Sequence, residues 1–454
     1  MWNWTIHSSV TSIGASFWCP IVIRYSASSF PPLADADDLS RWVRRVAEQD
    51  RALHAWVRLA GDAALRDAGL QSGPLQGMPF GVKDVLDVAG MPTRCGSPAS
   101  ADDPAPADAD CVARLRAAGA VPIGKTVTAE FAHVTPGPTR NPANPSHTPG
   151  GSSSGSAAAV AAGMVPFALG TQTGGSMIRP AAFCGVVGFK PTYGLLSRRG
   201  MRVMCPSLDV IGWHADTVDT AGRVSAALLP GGEDEAGGSA DVDRHDALRI
   251  GFLPEPPGYR LERAAANVLE QARRDLLEGG HAVATVAPPP SSMQLLDAHG
   301  VLVAHEMARR LAPIASASGA LLSPALRDTI RRGLSLSDAD HAAARRLQES
   351  ARDGWEHSFG DIDVVLTSSA LGPAPAGLAH TGNSGFNKAW SVLGWPCLHL
   401  PVTFDAAGLP LGVLLVARPG SDRQLLAWSR RLHAAIDRRG TAPHTRHNAY
   451  SSLP

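Results

Sequence analysis

Residues 150–176 read GGSSSGSAAAVAAGMVPFALGTQTGGS, and this stretch decides how the fold is interpreted. The small residues at 156–163 predict a helix that can pack closely against its neighbours, and 165–175 read as a strand that runs into a glycine turn. The residues at 135–156 are rich in Pro, Asn, Thr and Ser. They cannot form a regular element, because proline lacks a backbone N–H donor. We therefore expect an irregular segment, a small-residue helix and a strand in this order.

Segments typical of strands and helices alternate along the rest of the chain. The predicted strands or extended segments are 77–93, 120–126, 248–253, 281–286, 363–369, 396–404 and 411–417. The predicted helices lie within 35–70, 110–118, 262–278, 292–357 and 421–437. This alternation favours an α/β protein whose central sheet is covered by helices on both faces.

One large domain is expected over residues 31–440, with its core at about 77–200. Residues 1–30 are expected to form a poorly ordered N-terminal extension, and 441–454 a C-terminal tail. The Gly-rich, acidic segment 231–247 reads as an exposed loop.

The composition argues against several classes of protein. Of the 454 residues 44% are hydrophobic and 18% charged, so neither a disordered chain nor a coiled coil is indicated. With 41 basic and 41 acidic residues the formal net charge is zero, which argues against a nucleic-acid partner held by phosphate contacts. The six cysteines form no CxxC pair, so neither a disulfide framework nor a zinc ribbon is expected.

Signals for export or membrane insertion are weak. The longest apolar runs, such as 156–170, are too short for a membrane span and contain Gly and Pro. No Lys or Arg precedes Arg24, so the basic region of a signal peptide is missing. A cytoplasmic enzyme with no membrane partner is the expectation.

Two motif matches lack the structural context that their chemistry needs. Residues 119–126, GAVPIGKT, match the P-loop pattern, but a helix precedes them and Pro122 removes a backbone donor from the loop. Residues 151–155, GSSSG, match the nucleophile elbow, but no strand precedes them. Lys125 is therefore interpreted as structural and Ser153 is not expected to be a nucleophile. A nucleotide-binding protein is a remote alternative.

Three other segments each contain a residue that could take part in one catalytic site. They are Lys83 in GVKD, Ser152 in GGS, and Ser176 in TQTGGS. In this order, with the two serines 24 positions apart, they resemble the amidase signature family. The similarity extends over about 35–437 and is weakest over 231–362. It implies a mixed central β-sheet covered by α-helices on both faces, and hydrolysis or transfer of amide groups by a Ser–Ser–Lys triad.

This chemistry makes specific demands on the lysine. A serine hydroxyl needs a base to remove its proton, and no histidine lies in the three segments. With its ordinary pKa of about 10.4, only about one lysine in 2,500 is neutral at pH 7. Burial lowers the pKa of a lysine, and the apolar neighbours of Lys83 favour burial. Asp84 would raise that pKa, but adjacent side chains on a strand point to opposite faces, so we expect Asp84 to point away.

The resemblance also implies a role for each residue. Ser176 would be the nucleophile, Lys83 the base, and Ser152 the proton relay between them, with a cis peptide bond before Ser152. Backbone N–H groups of the adjoining turn would form the oxyanion hole, namely those of Thr173, Gly174, Gly175 and Ser176. No metal or other cofactor is required for this reaction.

Two positions depart from the family pattern. Gln172 stands where Asp is usual, and Arg179 follows the nucleophile by three residues rather than two. Both bear on the subgroup and the substrate rather than on the reaction. The candidate substrate-binding residues, whose apolar members suggest an aryl or alkyl group, are Met78, Phe131, Gly150, Met177 and Trp390.

The sequence therefore predicts an amidase that acts on carbon–nitrogen bonds other than peptide bonds through a serine acyl-enzyme. Carbamates, as in urethanases, and ureas stay open as substrates, because they share the tetrahedral chemistry of amides. The alternative is the A-type subunit of a tRNA amidotransferase, which would need partner subunits and a glutamine pocket. We expect a small amide or carbamate as substrate, no nucleic-acid partner, and a monomer or homodimer.

Overall fold

The computed structural model describes residues 30, 33–68, 71–230, 247–255, 258–288 and 291–439. The predicted N-terminal extension (apart from Phe30), the predicted C-terminal tail and almost all of the predicted acidic loop lie outside the described residues. Among the helices that are described, none is both long and apolar enough to cross a membrane.

The described strands form one 11-stranded sheet. They are β1 (Trp56–Leu59), β2 (Pro79–Lys83), β3 (Val121–Thr126), β4 (Phe167–Gln172), β5 (Val187–Lys190), β6 (Val210–Ala215), β7 (Arg249–Phe252), β8 (Ala282–Thr285), β9 (Val364–Ser368), β10 (Cys397–Phe404) and β11 (Pro410–Val416). Their order across the sheet is β1-β3-β2-β4-β6-β5-β10-β11-β9-β7-β8. Since β2 pairs in parallel with β3 and β4 while β4 pairs antiparallel with β6, the expected mixed sheet is confirmed.

Helices pack on this sheet and on one another, which confirms the expected α/β class. The described α-helices are α1 (Ala36–Leu53), α2 (Asp62–Ala68), α3 (Asp110–Ala117), α4 (Ser154–Ala161), α5 (Ile178–Cys184), α6 (Val218–Leu228), α7 (Arg263–Glu278), α8 (Ser292–Ser318), α9 (Pro324–Ser335), α10 (Asp338–Ser358), α11 (Gly385–Leu393) and α12 (Asp422–Ile436). Helix α4 packs on β4, α5 on β10 and β11, and α8 on α9, α10 and α11.

The sequence pattern over 35–70 predicts helices only, and this prediction is wrong at one place. Between α1 and α2, the residues WVRL form β1, which pairs antiparallel with β3. Only Trp56 of this strand is buried, while Val57 and Arg58 are exposed. Four residues are too few to show the alternation that distinguishes a half-buried strand from the adjoining helical pattern.

The carboxyl ends of β2 and β4 meet at one edge of the sheet, because these neighbouring strands run parallel. Val82 pairs with Leu169, so Lys83 at the end of β2 lies beside the last residues of β4. Every residue of β2, β3 and β4 is buried, as expected for central strands covered on both faces. This edge positions the candidate site.

The P-loop match forms part of β3 rather than a phosphate-binding loop. Lys125 Nζ lies 3.0 Å from Asp84 Oδ1, and both side chains are 1% exposed. The same ammonium group donates to Pro92 O and to Thr93 Oγ1. A lysine with these buried partners holds β3 to the segment after β2, in line with the structural interpretation of Lys125.

Removing one member of this ion pair is expected to destabilise the protein. Lys125→Met leaves the Asp84 carboxylate buried without its cation, and breaking a buried pair in this way costs about 3–5 kcal/mol. Urea denaturation of both proteins measures the loss. The double variant Lys125→Met/Asp84→Asn removes both charges, and we expect it to recover much of the stability. A Lys125→Met protein within about 0.5 kcal/mol of wild type would contradict this prediction.

Candidate active site

Lys83 is fully buried and contacts two hydroxyl groups. Its Nζ atom lies 2.8 Å from Ser152 Oγ and 2.7 Å from Thr171 Oγ1. The structure thus brings together two of the three residues that the sequence motifs singled out. Thr171 was not among them, although its position at the carboxyl end of β4 was the available signal. The two oxygens hold the amine at the edge of the sheet.

The surroundings of Lys83 favour its neutral form. Burial lowers the pKa of Lys83 to about 7, although the carboxylate of Asp209 acts in the opposite direction. At pH 7 an amine with this pKa is neutral about half of the time, compared with about one time in 2,500 at its ordinary pKa. Asp84 points away, as expected, and pairs with Lys125. The strand therefore separates the amine from the carboxylate that follows it in the chain.

Ser152 and Ser176 lie on adjoining segments. The backbone N–H of Ser153 donates to Ser176 O at 3.4 Å, and the peptide bond between Gly151 and Ser152 is cis. Ser152 has no exposed surface, whereas Ser176 is 8% exposed. Of the two hydroxyls, that of Ser176 is the one that a substrate can reach, while Ser152 lies against Lys83 in the interior.

Ser153, the serine of the elbow-like motif, is bound to strand β4. Its hydroxyl donates to Thr171 O at 3.1 Å and accepts from the Thr171 N–H at 3.2 Å. Ser153 is fully buried, and it precedes helix α4 rather than following a strand. These contacts attach the serine segment to β4 and leave this hydroxyl inaccessible to a substrate.

Residues Thr173 to Ser176 form the turn between β4 and α5, called here the catalytic turn. Within the described part of the chain, its four backbone N–H groups donate to no protein acceptor. Unengaged N–H groups next to a serine are the arrangement that stabilises an oxyanion. A Cβ on Gly174 would lie 3.0 Å from His299 Nε2, and one on Gly175 would lie 2.9 Å from Ser384 Cβ. Glycine is required at both positions because neighbouring side chains pack directly on the turn.

His299 of helix α8 is one of these neighbours. Its Nε2 donates to Thr173 O at 3.2 Å. Burial lowers the pKa of His299 to about 3, so near pH 7 the ring is neutral. His299 could not be identified from the sequence, because it lies 126 positions from Thr173, within the segment of weakest resemblance. His299 holds the backbone at the start of the catalytic turn.

The side chain of Gln172 stabilises the catalytic turn through hydrogen bonds. Its Oε1 accepts the backbone N–H groups of Met177 and Ile178, at 2.9 and 3.1 Å. Its Nε2 donates to Ser391 Oγ, and that hydroxyl donates to Gly174 O. An aspartate could accept the two N–H groups but could not donate to Ser391. The first departure from the family pattern is therefore matched by a partner on α11.

Arg179, the second departure, is buried and bound to carbonyl groups. Its guanidinium donates to Gly151 O at 2.6 Å and to Gly382 O at 2.9 Å, and also to Thr381 Oγ1. Burial lowers the pKa of Arg179 to about 10, so it is cationic at neutral pH. The arginine thus joins the serine segment to the loop before α11 and adds positive charge near the site.

Phe131 lines a cavity of about 740 Å³, together with Cys95 and Met204. The backbone N–H of Met204 donates to Asp209, whose carboxylate also accepts from Thr173 Oγ1 at 2.6 Å. The cavity wall is therefore connected to the catalytic turn. The lining of this cavity does not include Lys83, Ser152 or Ser176, and Phe131 is the one candidate substrate-binding residue that it contains.

The other candidate substrate-binding residues are placed differently. Met78 precedes β2 and lies at the opposite end of that strand from Lys83. Met177 is fully buried, and Trp390 packs among the aromatic rings of the core. Gly150 has φ 80° and immediately precedes the serine segment. Gly150 therefore adjoins the site in the chain, Phe131 lies in the cavity wall, and the roles of all five residues in binding stay predictions.

Comparisons with known proteins agree on one family. The family model described as Amidase matches residues 39–426. The A-type subunit of glutamyl-tRNA(Gln) amidotransferase from Halothermothrix orenii is 30% identical over 454 aligned positions, which cover 89% of this chain and 94% of that protein. The solved peptide amidase of Stenotrophomonas maltophilia has a TM-score of 0.74 at 28% identity, covering 88% of this chain and 94% of that one. A chain from a vestigial complex related to an s-triazine catabolic enzyme has a TM-score of 0.79 at 29% identity, covering 88% and 95%.

Proposed function

The chain belongs to the amidase signature family, and from this premise we propose that it hydrolyses amide bonds of small molecules through an acyl-enzyme on Ser176. The observation that carries the proposal is the environment of Lys83. Its buried amine has a pKa of about 7 and contacts Ser152 Oγ, next to a turn whose N–H groups are unengaged. A general base is most effective when its pKa lies near the pH at which the enzyme works, and a pKa of about 7 meets this condition near neutral pH.

In the first half of the reaction, neutral Lys83 accepts the proton of Ser152, and Ser152 accepts that of Ser176. The Ser176 oxygen then attacks the amide carbonyl. The negative charge that develops on the carbonyl oxygen is stabilised by the N–H groups of the catalytic turn, and one such donor is worth roughly 2.7–4 kcal/mol. Collapse of the intermediate breaks the C–N bond, and the leaving amine takes the proton back from Lys83 through Ser152.

In the second half, water attacks the acyl-enzyme. Its proton passes through Ser152 to Lys83. As the acyl–oxygen bond breaks, Lys83 returns this proton through Ser152 to the Ser176 oxygen, so the free acid leaves with Ser176 restored. The same steps cleave carbamates and ureas, so these substrates belong to the proposal. The chain would work on its own, as a monomer or homodimer.

The second candidate function is that of an amidotransferase A-type subunit. The observation that favours it is the 30% identity to the Halothermothrix orenii protein over 89% of this chain. Such a subunit depends on its complex, whereas a stand-alone amidase does not. Turnover of amides by the purified chain alone would therefore favour the amidase.

Covalent labelling tests the proposed nucleophile. A fluorophosphonate probe reacts with activated serines, so we expect it to modify Ser176 and to leave Ser152 and Ser153 unmodified. Peptide mass spectrometry after digestion identifies the modified serine. Labelling should increase with pH, because the neutral form of Lys83 activates the hydroxyl. Labelling of Ser153 alone, or no labelling of any serine, would contradict the proposal.

A further inference from the structure

Lysine is rare in this chain, which has four lysines and 37 arginines. Three of the four, Lys83, Lys125 and Lys190, are at most 1% exposed. The fourth, Lys388, is only partly buried and lies on helix α11. Arginine supplies nearly all of the positive charge of the chain. We therefore looked to the surroundings of Lys388 for the reason why a lysine stands at this partly exposed position.

Lys388 lies against the catalytic turn. Its Cγ atom is 3.7 Å from the position that a Cβ would take on Gly174. The ammonium group is three bonds further along the same side chain. The side chain therefore passes Gly174 of the catalytic turn, and its charge lies close enough to His299 to lower the pKa of that ring.

The ammonium of Lys388 has no counter-ion in the part of the chain that the structure describes, and it donates to no described acceptor. The charged neighbours that affect its pKa are Arg179 and Arg332, and these cations lower that pKa together with burial. Asp209 is bound to the catalytic turn, but Thr173 and nearby backbone N–H groups already occupy its carboxylate. A partly buried cation beside other cations is costly unless an anion joins it.

The residue before Lys388 supports the same interpretation of helix α11. Asn387 is 1% exposed, and its Nδ2 donates to Ser369 O. Its Oδ1 accepts no hydrogen bond within the described residues. Asn387 Nδ2 lies 3.2 Å from the Cβ position of Gly175. Helix α11 thus places the side chains of Lys388 and Asn387 next to the catalytic turn, and each has a polar group without a partner among the described residues.

We propose that Lys388 binds a carboxylate of the substrate, so that the preferred amides are short anionic ones such as the monoamides of dicarboxylic acids. The inference rests on the proposed function and adds the substrate class. The proposed carboxylate site also distinguishes the substrate preference of this chain from that of an enzyme that uses glutamine. The α-ammonium group of glutamine would be repelled by Lys388, Arg179 and Arg332, whereas a monoamide without that group carries only the attractive charge.

Paired substrates test the specificity. Succinamate, glutaramate and adipamate are each compared with the neutral amide in which a methyl group replaces the carboxylate, and glutaramate is also compared with L-glutamine. We expect the best anionic amide to exceed its neutral partner in kcat/KM, and glutaramate to exceed glutamine. Lys388→Met removes a hydrogen bond to the charged carboxylate. We therefore expect kcat/KM for the anionic amide to fall about 10- to 100-fold, with little change for its neutral partner. The matched control is Arg331→Met, which removes an exposed cation paired with Asp328 and is expected to change neither value.

A binding measurement separates this inference from the proposed function. Glutarate, the product expected from glutaramate, should protect Lys388 from amine acylation, as measured on its peptide by mass spectrometry. Absence of protection, or Lys388→Met lowering kcat/KM equally for anionic and neutral amides, would overturn the inference. So would a preference for neutral amides in the wild type, although the proposed amidase function would then stand. Failure of the fluorophosphonate to label Ser176 would instead remove the function on which the inference rests.

Discussion

Replacing Ser176 by alanine is expected to lower the kcat for amide hydrolysis by about 10⁴- to 10⁶-fold, the range seen when one member of a catalytic set is removed. The variant lacks the oxygen that attacks the carbonyl and cannot form an acyl-enzyme. Because Ser176 is small and its hydroxyl has no hydrogen-bond partner among the described residues, the fold should be unaffected. Steady-state kinetics with the best amide, together with circular dichroism, make the comparison.

The matched control is Ser154→Ala, a neighbouring serine at the first residue of α4. Its hydroxyl contacts Val127 O at 3.4 Å, and no catalytic role is assigned to it. We expect this variant to retain most of the activity. Near-normal hydrolysis by Ser176→Ala, measured with protein free of other amidases, would exclude the acyl-enzyme mechanism.

Lys83→Met is expected to lower kcat by about 10⁴-fold or more while leaving the protein at least as stable as wild type. The activity is lost because the proposed base, whose amine contacts Ser152 Oγ, is absent. Stability is retained because methionine fills a similar volume, and a buried amine no longer has to be kept from water. Kinetics and urea denaturation on the same preparation measure both effects. A destabilised variant would instead indicate that the contacts with Ser152 and Thr171 hold the sheet edge together.

The pH dependence of the reaction is expected to show whether Lys83 is the base. Burial lowers the pKa of Lys83 to about 7, and the base is active only when neutral. The wild-type kcat/KM should therefore be low below pH 7, rise through about 7 and level off above it, and the rise should be absent in the residual activity of Lys83→Met. His133→Ala is the control, because burial lowers the pKa of His133 to about 4, well below this rise. Loss of the rise in His133→Ala but not in Lys83→Met would reverse the assignment.

The sequence was sufficient to predict that Lys83 and Ser152 come together and to predict much of the sheet, because short motifs and local apolar patterns indicate both. Strand β11, with the sequence PLGVLLV, is a continuous apolar segment, and short-range spacing links Ser152 to Ser176. The separation of Lys83 from Asp84 followed from strand alternation alone. In contrast, β1 and β5 were missed because each has only four residues, and β6 was not predicted either.

The groups that support the site could not be predicted, because each comes from a distant part of the chain. Ser391 is 219 residues from Gln172, and Thr381 is 202 residues from Arg179. Only the folded sheet brings helix α11 and the loop before it onto the catalytic turn. The two departures from the family pattern could be seen in the sequence, but their partners could not, since no local rule connects residues so far apart.

The contact between Gly174 and His299 has a consequence for recombination between relatives. Helix α8 lies where the chain least resembles the family, so it is the natural segment to exchange when chimeric enzymes are built. Yet a Cβ on Gly174 would lie 3.0 Å from His299 Nε2, and the same ring donates to Thr173 O. A chimera that takes α8 from a relative therefore also changes the side chain that packs against the catalytic turn at the position of His299. Chimeras that transfer this helix should lose activity while they still fold, and restoring His299 alone should recover much of it.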